Sequence, residues 1–230
     1  MVTSHSKEVA NAGAGYSGIS VVPASVSYPG IYRSGGKRLF DIAFALFAAP
    51  FVVPVILLLA AFLAFQGVTP FYRQERVGKN GKTFKMLKLR TMVHDAETVL
   101  QKHLAQSPEA RAEWNRDQKL RNDPRIIKFG KFLRKSSMDE LPQFWNVLIG
   151  EMSIVGPRPM MVNQKELYPG KFYTAMRPGL SGPWQVSKRN QSTFAERAFH
   201  DTEYWKTMSF GTDVSIVFRT IFVVLRGTGC

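Results

Sequence analysis

Residues 42–65 form an unbroken run of 24 side chains with no charge and no polar group, and no other feature restricts the fold of this chain as strongly. As a straight helix the run extends about 36 Å, more than the hydrocarbon core of a bilayer at about 30 Å. A membrane segment is therefore expected. The mean hydropathy of −0.12 conceals it only because the run is averaged with a charged remainder. Arg33, Lys37 and Arg38 precede the run, and Arg73, Arg76, Lys79, Lys82, Lys85 and Lys88 follow it. Positive residues stay on the cytoplasmic side, so a run with basic flanks at both ends should enter and leave by one face. Pro50 lies near its middle and Pro54 one turn later; each removes a backbone donor and crowds the carbonyl four residues earlier, which favours a sharp bend. These features suit a re-entrant helix hairpin over residues 37–66. An ordinary spanning helix kinked at proline satisfies the length and the prolines equally.

The 230 residues carry 31 Lys and Arg against 17 Asp and Glu, a formal charge of +14. Anionic partners follow from that balance: nucleic acid, phosphorylated small molecules or an anionic membrane surface. The only cysteine is Cys230, which excludes a disulfide framework within the chain and a cysteine-based zinc site, and suits a reducing cytoplasm. His5, His94, His103 and His200 show no metal-ligand spacing. No P-loop run is present, and Gly13-Ala14-Gly15-Tyr16-Ser17-Gly18 matches G-x-G-x-x-G only within a Ser-, Gly- and Ala-rich stretch with no strand pattern before it, so the common nucleotide folds are not signalled.

Residues 1–36, rich in Ser, Gly, Ala and Val, read as a flexible leader, and residues 67–230 as the body. Gly78-Lys79-Asn80-Gly81 lies between two strand-like stretches that start at Phe71 and Thr83, which predicts a β-hairpin. Period two along the second strand places Phe84, Met86, Lys88 and Arg90 on one face; the two cations suit either a solvated strand end or a phosphate. Residues 92–121 read as polar helix split at Pro108, and residues 214–226 as a helix that lies in the interface or packs on the body.

Ser137-Met138-Asp139-Glu140 fits a capping box ahead of an apolar helical pattern, with Pro142 near the helix start. First-turn carboxylates are commonly caps. Here Lys128, Lys131, Arg134 and Lys135 precede the pair, an arrangement that also suits a phosphate ester bridged by a divalent metal. In Gly156-Pro157-Arg158-Pro159 two prolines restrict the backbone of Arg158, and its fork of donors matches phosphate geometry. Residues 177–184 form a second loop of this kind, with Trp184 available for stacking on a base or sugar.

Six blocks in order carry a family resemblance: Lys37-Arg38-Leu39-Phe40-Asp41; residues 84–92; Asn122-Asp123-Pro124-Arg125-Ile126; residues 133–143; residues 152–159; and Arg177-Pro178-Gly179-Leu180-Ser181-Gly182. Over residues 36–227 the chain resembles the bacterial sugar transferases, the monotopic phosphoglycosyl transferases that begin glycan assembly on a polyprenyl phosphate. The rhizobial exopolysaccharide enzymes look closest. The resemblance implies a mixed α/β, mostly helical fold: a re-entrant membrane helix, with Ala49-Pro50 where members have Ser-Pro, a small β-hairpin and a cytoplasmic catalytic domain with interfacial amphipathic helices. It implies transfer of galactose or glucose 1-phosphate from a UDP-sugar to undecaprenyl phosphate at the bacterial inner membrane. Asp139 would be the covalent nucleophile, Glu140 the residue that binds or positions Mg2+ beside it, and Lys88, Arg134 and Arg158 the groups near the phosphates. Arg189, in Lys188-Arg189-Asn190 where members have Gly-Arg-Asn, would contact the nucleotide. Membrane lipids are then partners and nucleic acid is not; a homodimer is admitted. The competing classes are a membrane-tethered nucleic-acid-binding protein, which gives Asp139 and Glu140 no special role, and a non-catalytic scaffold for polysaccharide assembly.

Overall fold

The computed structural model describes residues 30–117, 120–187 and 196–225. The fold is mostly helical, with two small sheets. Its first helix, α1 (Lys37–Phe65), continues from a wide π-helical turn at Tyr32–Gly36. Helical structure thus reaches into the expected leader, of which residues 1–29 lie outside the described residues. The α-helical run is unbroken through Pro50 and Pro54. No loop divides it into two arms, so any change of direction is a bend within one helix. Its length and apolar composition are sufficient to cross a membrane.

Among the described residues, the body holds α1 at its two ends. At the start, Ala45 is buried with Phe84, Met86, Val147 and Met152, while Asp41 accepts from Ser153 Oγ and Ile154 N, both at 2.9 Å. At the other end, Leu59, Ala60 and Leu63 pack with Leu89 and Leu133, and the Phe62 ring lies 4.5 Å from that of Phe129. Between these anchors Phe47, Phe51, Leu57 and Leu58 are exposed, a larger continuous apolar surface than a water-soluble chain ordinarily presents.

Strands β1 (Phe71–Val77) and β2 (Thr83–Leu89) pair antiparallel, with Val77 opposite Thr83. The connecting turn holds Asn80 at φ 58° and Gly81 at φ 73°, left-handed angles that Asn and Gly tolerate best. The free edge of β2 is closed by one side chain: Asn146 accepts from Leu87 N and donates to Lys85 O, each at 3.0 Å. A buried strand edge would otherwise leave two backbone groups unpaired.

Helices α2 (Ala96–Gln106) and α3 (Pro108–Asp117) form the expected split polar stretch. Pro108 opens the second helix, where its missing N–H costs no hydrogen bond, and Ser107 Oγ accepts from Ala110 N. Helix α4 (Lys128–Lys135) leads into the short turn Met138–Glu140 and then α5 (Gln143–Leu148). Arg38 donates to the last carbonyls of α5, Val147 O at 2.6 Å and Leu148 O at 2.8 Å, at a helix end where carbonyls have no intrahelical partner.

A short parallel pair, β3 (Ser153–Val155) and β4 (Gly179–Ser181), joins the two proline-rich loops. Gly156 N donates to Ser181 O at 2.8 Å and Gly179 N to Pro157 O at 2.9 Å. The last described elements are α6 (Glu196–Thr207) and α7 (Phe210–Leu225). Ile216 of α7 is buried against the body, whereas Phe218, Ile221 and Phe222 are exposed. Asp213, fully buried, ties the last helix to the first: it accepts from Lys37 at 2.7 Å and from Tyr32 and Tyr204 at 2.6 Å. The Lys37-Arg38-Leu39-Phe40-Asp41 block therefore fastens the root of α1 to the body.

Candidate functional site

The site starts from a tight reversal after α4. Gly130 lets α4 approach the Thr91 carbonyl so closely that a Cβ would overlap it, and Thr91 Oγ1 accepts from Arg134 Nε at 2.9 Å. Ser137 then takes the left-handed conformation, φ 57°, turning Asp139 and Glu140 back across β2. The expected capping box does not form: Ser137 makes no side-chain cap and α5 begins only at Gln143, behind Pro142. The Glu140 carboxylate instead accepts from Lys88 Nζ at 2.7 Å. A charged partner 52 residues away outcompetes the local backbone amide, because charge-assisted hydrogen bonds are the stronger kind.

Two adjoining recesses share Glu140, Arg158, Leu180 and Gln185. One is completed by Arg76, Lys88 and Gln143. The other adds Ser137 and Ser181 and gains an apolar wall from Val223 and Val224 of α7. Lys88 and Arg158 thus meet at Glu140, although they are far apart in the chain. Asp139 is 8% exposed and is not among the residues that line the recesses. Arg134 is not among them either.

The electrostatics separate the two carboxylates. Burial disfavours ionised Glu140, but Lys88, Arg158 and Arg76 outweigh it and hold the carboxyl at about 2. At Asp139 burial dominates; Lys88 and Arg134 lower its pKa and Glu140 raises it, leaving it at about 6. Glu140 is therefore ionised throughout the physiological range, while Asp139 titrates just below neutrality.

In the sequence Arg76 is one flanking charge among several. In the hairpin it stands opposite Phe84, with Gln74 opposite Met86 and Tyr72 opposite Lys88, so it shares the face that carries Lys88. Its guanidinium donates to Pro159 O at 3.2 Å and to Gln74 Oε1 at 2.5 Å. Burial and the neighbouring Arg158 lower its pKa to about 10, which still leaves it charged. The hairpin register would have revealed it, and that register depends on a turn whose length the Asn-Gly pair alone does not set.

Arg90 does not reach the recesses. The strand ends at Leu89, and Arg90 turns to the base of β1, donating to Thr69 O at 3.0 Å and lying over the Tyr72 ring. Trp184 also differs from expectation. Its ring is buried with Arg197 4.2 Å and Arg158 5.8 Å from its centroid, so the indole supports two guanidiniums rather than offering an open stacking face. Arg197 and Asp201 of α6 were not anticipated. Asp201 accepts from Tyr168 OH at 2.5 Å, and burial pushes its carboxyl up to about 7 against the opposing effects of Tyr168 and Arg197. Lys188 and Arg189 lie outside the described residues.

Among the described residues no group of three or more His, Cys, Asp or Glu side chains is placed to hold a metal ion. Asp139 and Glu140 provide two carboxylates beside a cationic recess. That donor set fits Mg2+, which commonly takes one or two carboxylates and completes its shell with water and substrate phosphates.

The chain is similar along most of its length to several known proteins. The chain is 46% identical over 195 residues to a UDP-galactose-lipid carrier transferase of Erwinia amylovora, covering 84% of this chain and 41% of the relative. It is 44% identical over 196 residues to the exopolysaccharide production protein ExoY of Sinorhizobium fredii, covering 84% and 87%. It is 34% identical over 219 residues to a UDP-glucose:undecaprenyl-phosphate glucose-1-phosphate transferase of Klebsiella pneumoniae, covering 89% and 43%. The chain thus spans less than half the length of the Erwinia and Klebsiella proteins. The sequence pattern described as "Bacterial sugar transferase" matches residues 32–227, nearly all of the described protein, and the chain belongs to the bacterial sugar transferase family.

Proposed function

We propose that this protein transfers a hexose 1-phosphate, galactose or glucose, from a UDP-sugar to undecaprenyl phosphate, through a sugar-phosphate ester of Asp139, as the first membrane step of exopolysaccharide synthesis. The observation that carries this reading is the cationic recess around Glu140, next to which in the chain stands the buried Asp139. A diphosphate repels an anionic nucleophile, so a carboxylate can attack phosphorus only where fixed cations offset that field. Lys88, Arg76 and Arg158 supply it. A carboxylate oxygen of Asp139 bonds to the hexose-bearing phosphorus, and the bond from that phosphorus to the bridging oxygen breaks, with UMP taking the electron pair. An oxygen of undecaprenyl phosphate then bonds to the same phosphorus and displaces Asp139. The names of the relatives, which include UDP-sugar and undecaprenyl-phosphate transferases, support the choice of donor and acceptor.

Mg2+ held by Glu140 with Asp139 would neutralise diphosphate charge and stabilise the leaving group. Glu140→Gln should then raise the Mg2+ concentration needed for half-maximal activity by about tenfold or more, the scale of losing one charge-assisted contact. A wild-type Mg2+ titration in that variant would move the metal role elsewhere. The direct test of the reaction is intact-mass analysis after mixing with UDP-galactose or UDP-glucose and Mg2+. A hexose-phosphate adduct, lost on addition of undecaprenyl phosphate, is expected; UMP release with no adduct would remove the covalent step.

Arg158→Lys keeps the charge and loses the planar fork. The expected cost is about 1.5 to 3 kcal/mol in UDP-sugar use with little change in melting temperature. Normal kinetics with a large loss of stability would make the residue a structural turn.

For the membrane, both ends of α1 pack on one body while its middle is exposed, which supports re-entry from the cytoplasmic face of the inner membrane. Lys37 is engaged with Asp213, so the topology is better probed at exposed Ser34 and Lys79. Cysteines placed there, with Cys230 replaced, should both react with an impermeant reagent from the same side of sealed vesicles. Labelling from opposite sides would mean a spanning helix.

A further inference from the structure

The recess between Lys88 and Arg158 contains a hydrogen-bond donor for which the described residues supply no acceptor. Gln143, three residues beyond Glu140, is 2% exposed and lines this recess beside Arg76, Lys88 and Glu140. Its amide nitrogen Nε2 is buried and has no acceptor among the described residues. Gln185, across the same recess, does not relieve it: Gln185 donates its own amide to Leu180 O at 3.0 Å, and its oxygen is likewise without a partner. A buried N–H without an acceptor is a standing cost to the fold, which an apolar side chain of similar length would avoid.

The surrounding charge indicates what would complete it. Three cations converge on this recess, Arg76, Lys88 and Arg158, so the species that enters is an anion, and an ionised phosphate offers acceptors only. We propose that Gln143 is a phosphate-binding residue, its Nε2 donating to a phosphoryl oxygen of the ligand. The contact rests on the proposed reaction only for the identity of that phosphate, which belongs either to the nucleotide-sugar or to the polyprenyl phosphate. A neutral donor orients the oxygen without adding a further positive charge beside Glu140, where another cation would compete with a bound metal.

The test uses Gln143→Met, which keeps the length and removes the donor, and Gln143→Glu, which replaces it with a charge that repels phosphate. Without ligand, Gln143→Met should melt at or above the wild-type temperature, since it removes an unpaired donor; a structural hydrogen bond would predict a lower one. Binding of magnesium pyrophosphate, which has neither sugar nor base, should weaken about 10- to 100-fold in Gln143→Met, the range for a hydrogen bond to a charged group, and further in Gln143→Glu. UMP release without lipid, slowed to the same degree, would assign the contact to the nucleotide-sugar. Normal UMP release with only the lipid step slowed would assign it to the acceptor phosphate. Wild-type affinity for pyrophosphate and normal rates in both half-reactions would overturn the inference, as would loss of fold in both variants. If the wild type releases no UMP from any UDP-sugar, the proposed reaction fails, and the pyrophosphate comparison still decides the role of Gln143.

Discussion

Asp139→Asn is expected to form no sugar-phosphate adduct and to release UMP at least about 1,000-fold more slowly than the wild type, as the loss of a covalent nucleophile typically does. The exchange preserves volume and removes the charge. Its stability should not fall. The Asp139 carboxyl is raised to about 6 chiefly by burial, so the native state disfavours its ionised form. That cost is absent below the ordinary carboxylate range, grows as pH rises towards 6 and is fully present above it. Its size is about 3 kcal/mol at neutral pH, and a neutral amide avoids it. Thermal unfolding at pH 7 should therefore show an equal or higher melting temperature for the Asp139→Asn protein, with the difference vanishing towards about pH 4, the ordinary carboxylate range. The same titration sets the wild-type pH profile: kcat/KM for the donor should fall about tenfold per unit below about pH 6. Adduct formation by this variant at the wild-type rate would reject Asp139 as the nucleophile.

Gly179→Ala should cost at least about 3 kcal/mol of stability, the upper range for overpacking a site that cannot yield. A Cβ at this position would overlap the Gly156 backbone nitrogen and the Ser181 carbonyl oxygen. Both atoms belong to the β3–β4 ribbon, where Gly156 N donates to Ser181 O, so neither can retreat without breaking the pairing. The ribbon carries Arg158 on one side and Leu180 on the other, and activity should fall together with stability. Urea unfolding checks the first effect. A midpoint unchanged from wild type would show that the loops separate at little cost, contrary to the close backbone approach. The control is Gly211→Ala: nothing lies near a Cβ there, within α7, and Ala should stabilise the helix by about 0.5 to 1 kcal/mol.

Several parts of this protein were legible in the chain because their causes are local. The run at residues 42–65 excludes any element but a long apolar helix. Asn80-Gly81 supplies the left-handed angles of the hairpin turn, and Pro108 separates α2 from α3, both through backbone sterics within a few residues. The Asp139-Glu140 pair and Arg158 stood out through their neighbours in sequence. Arg76 did not, because its face becomes known only once β1 is in register with β2. Gln143 and Gln185 also passed unnoticed: no spacing announces a buried amide without a partner.

Tertiary structure made the remaining decisions wherever a stronger distant partner replaced a local one. Ser137 to Glu140 has the sequence of a capping box, yet Glu140 turns to Lys88, since an ammonium binds a carboxylate more strongly than a backbone amide does. Trp184 has the composition of a stacking platform, yet two guanidiniums occupy its surroundings. Arg90 continues the period of Lys88 on paper, but the strand ends before it. Asp213 reads as an ordinary polar residue near a helix start, and becomes the buried acceptor for Tyr32, Lys37 and Tyr204 only when the two ends of the described chain meet. The apolar helix, the hairpin turn and the acidic pair follow from local sequence, because backbone preference and hydrophobicity act over a few residues. Only the folded chain decided which cations face Glu140 and which carboxylate is buried, because charges interact according to distance and solvent exclusion, and neither exists until the long loops have closed.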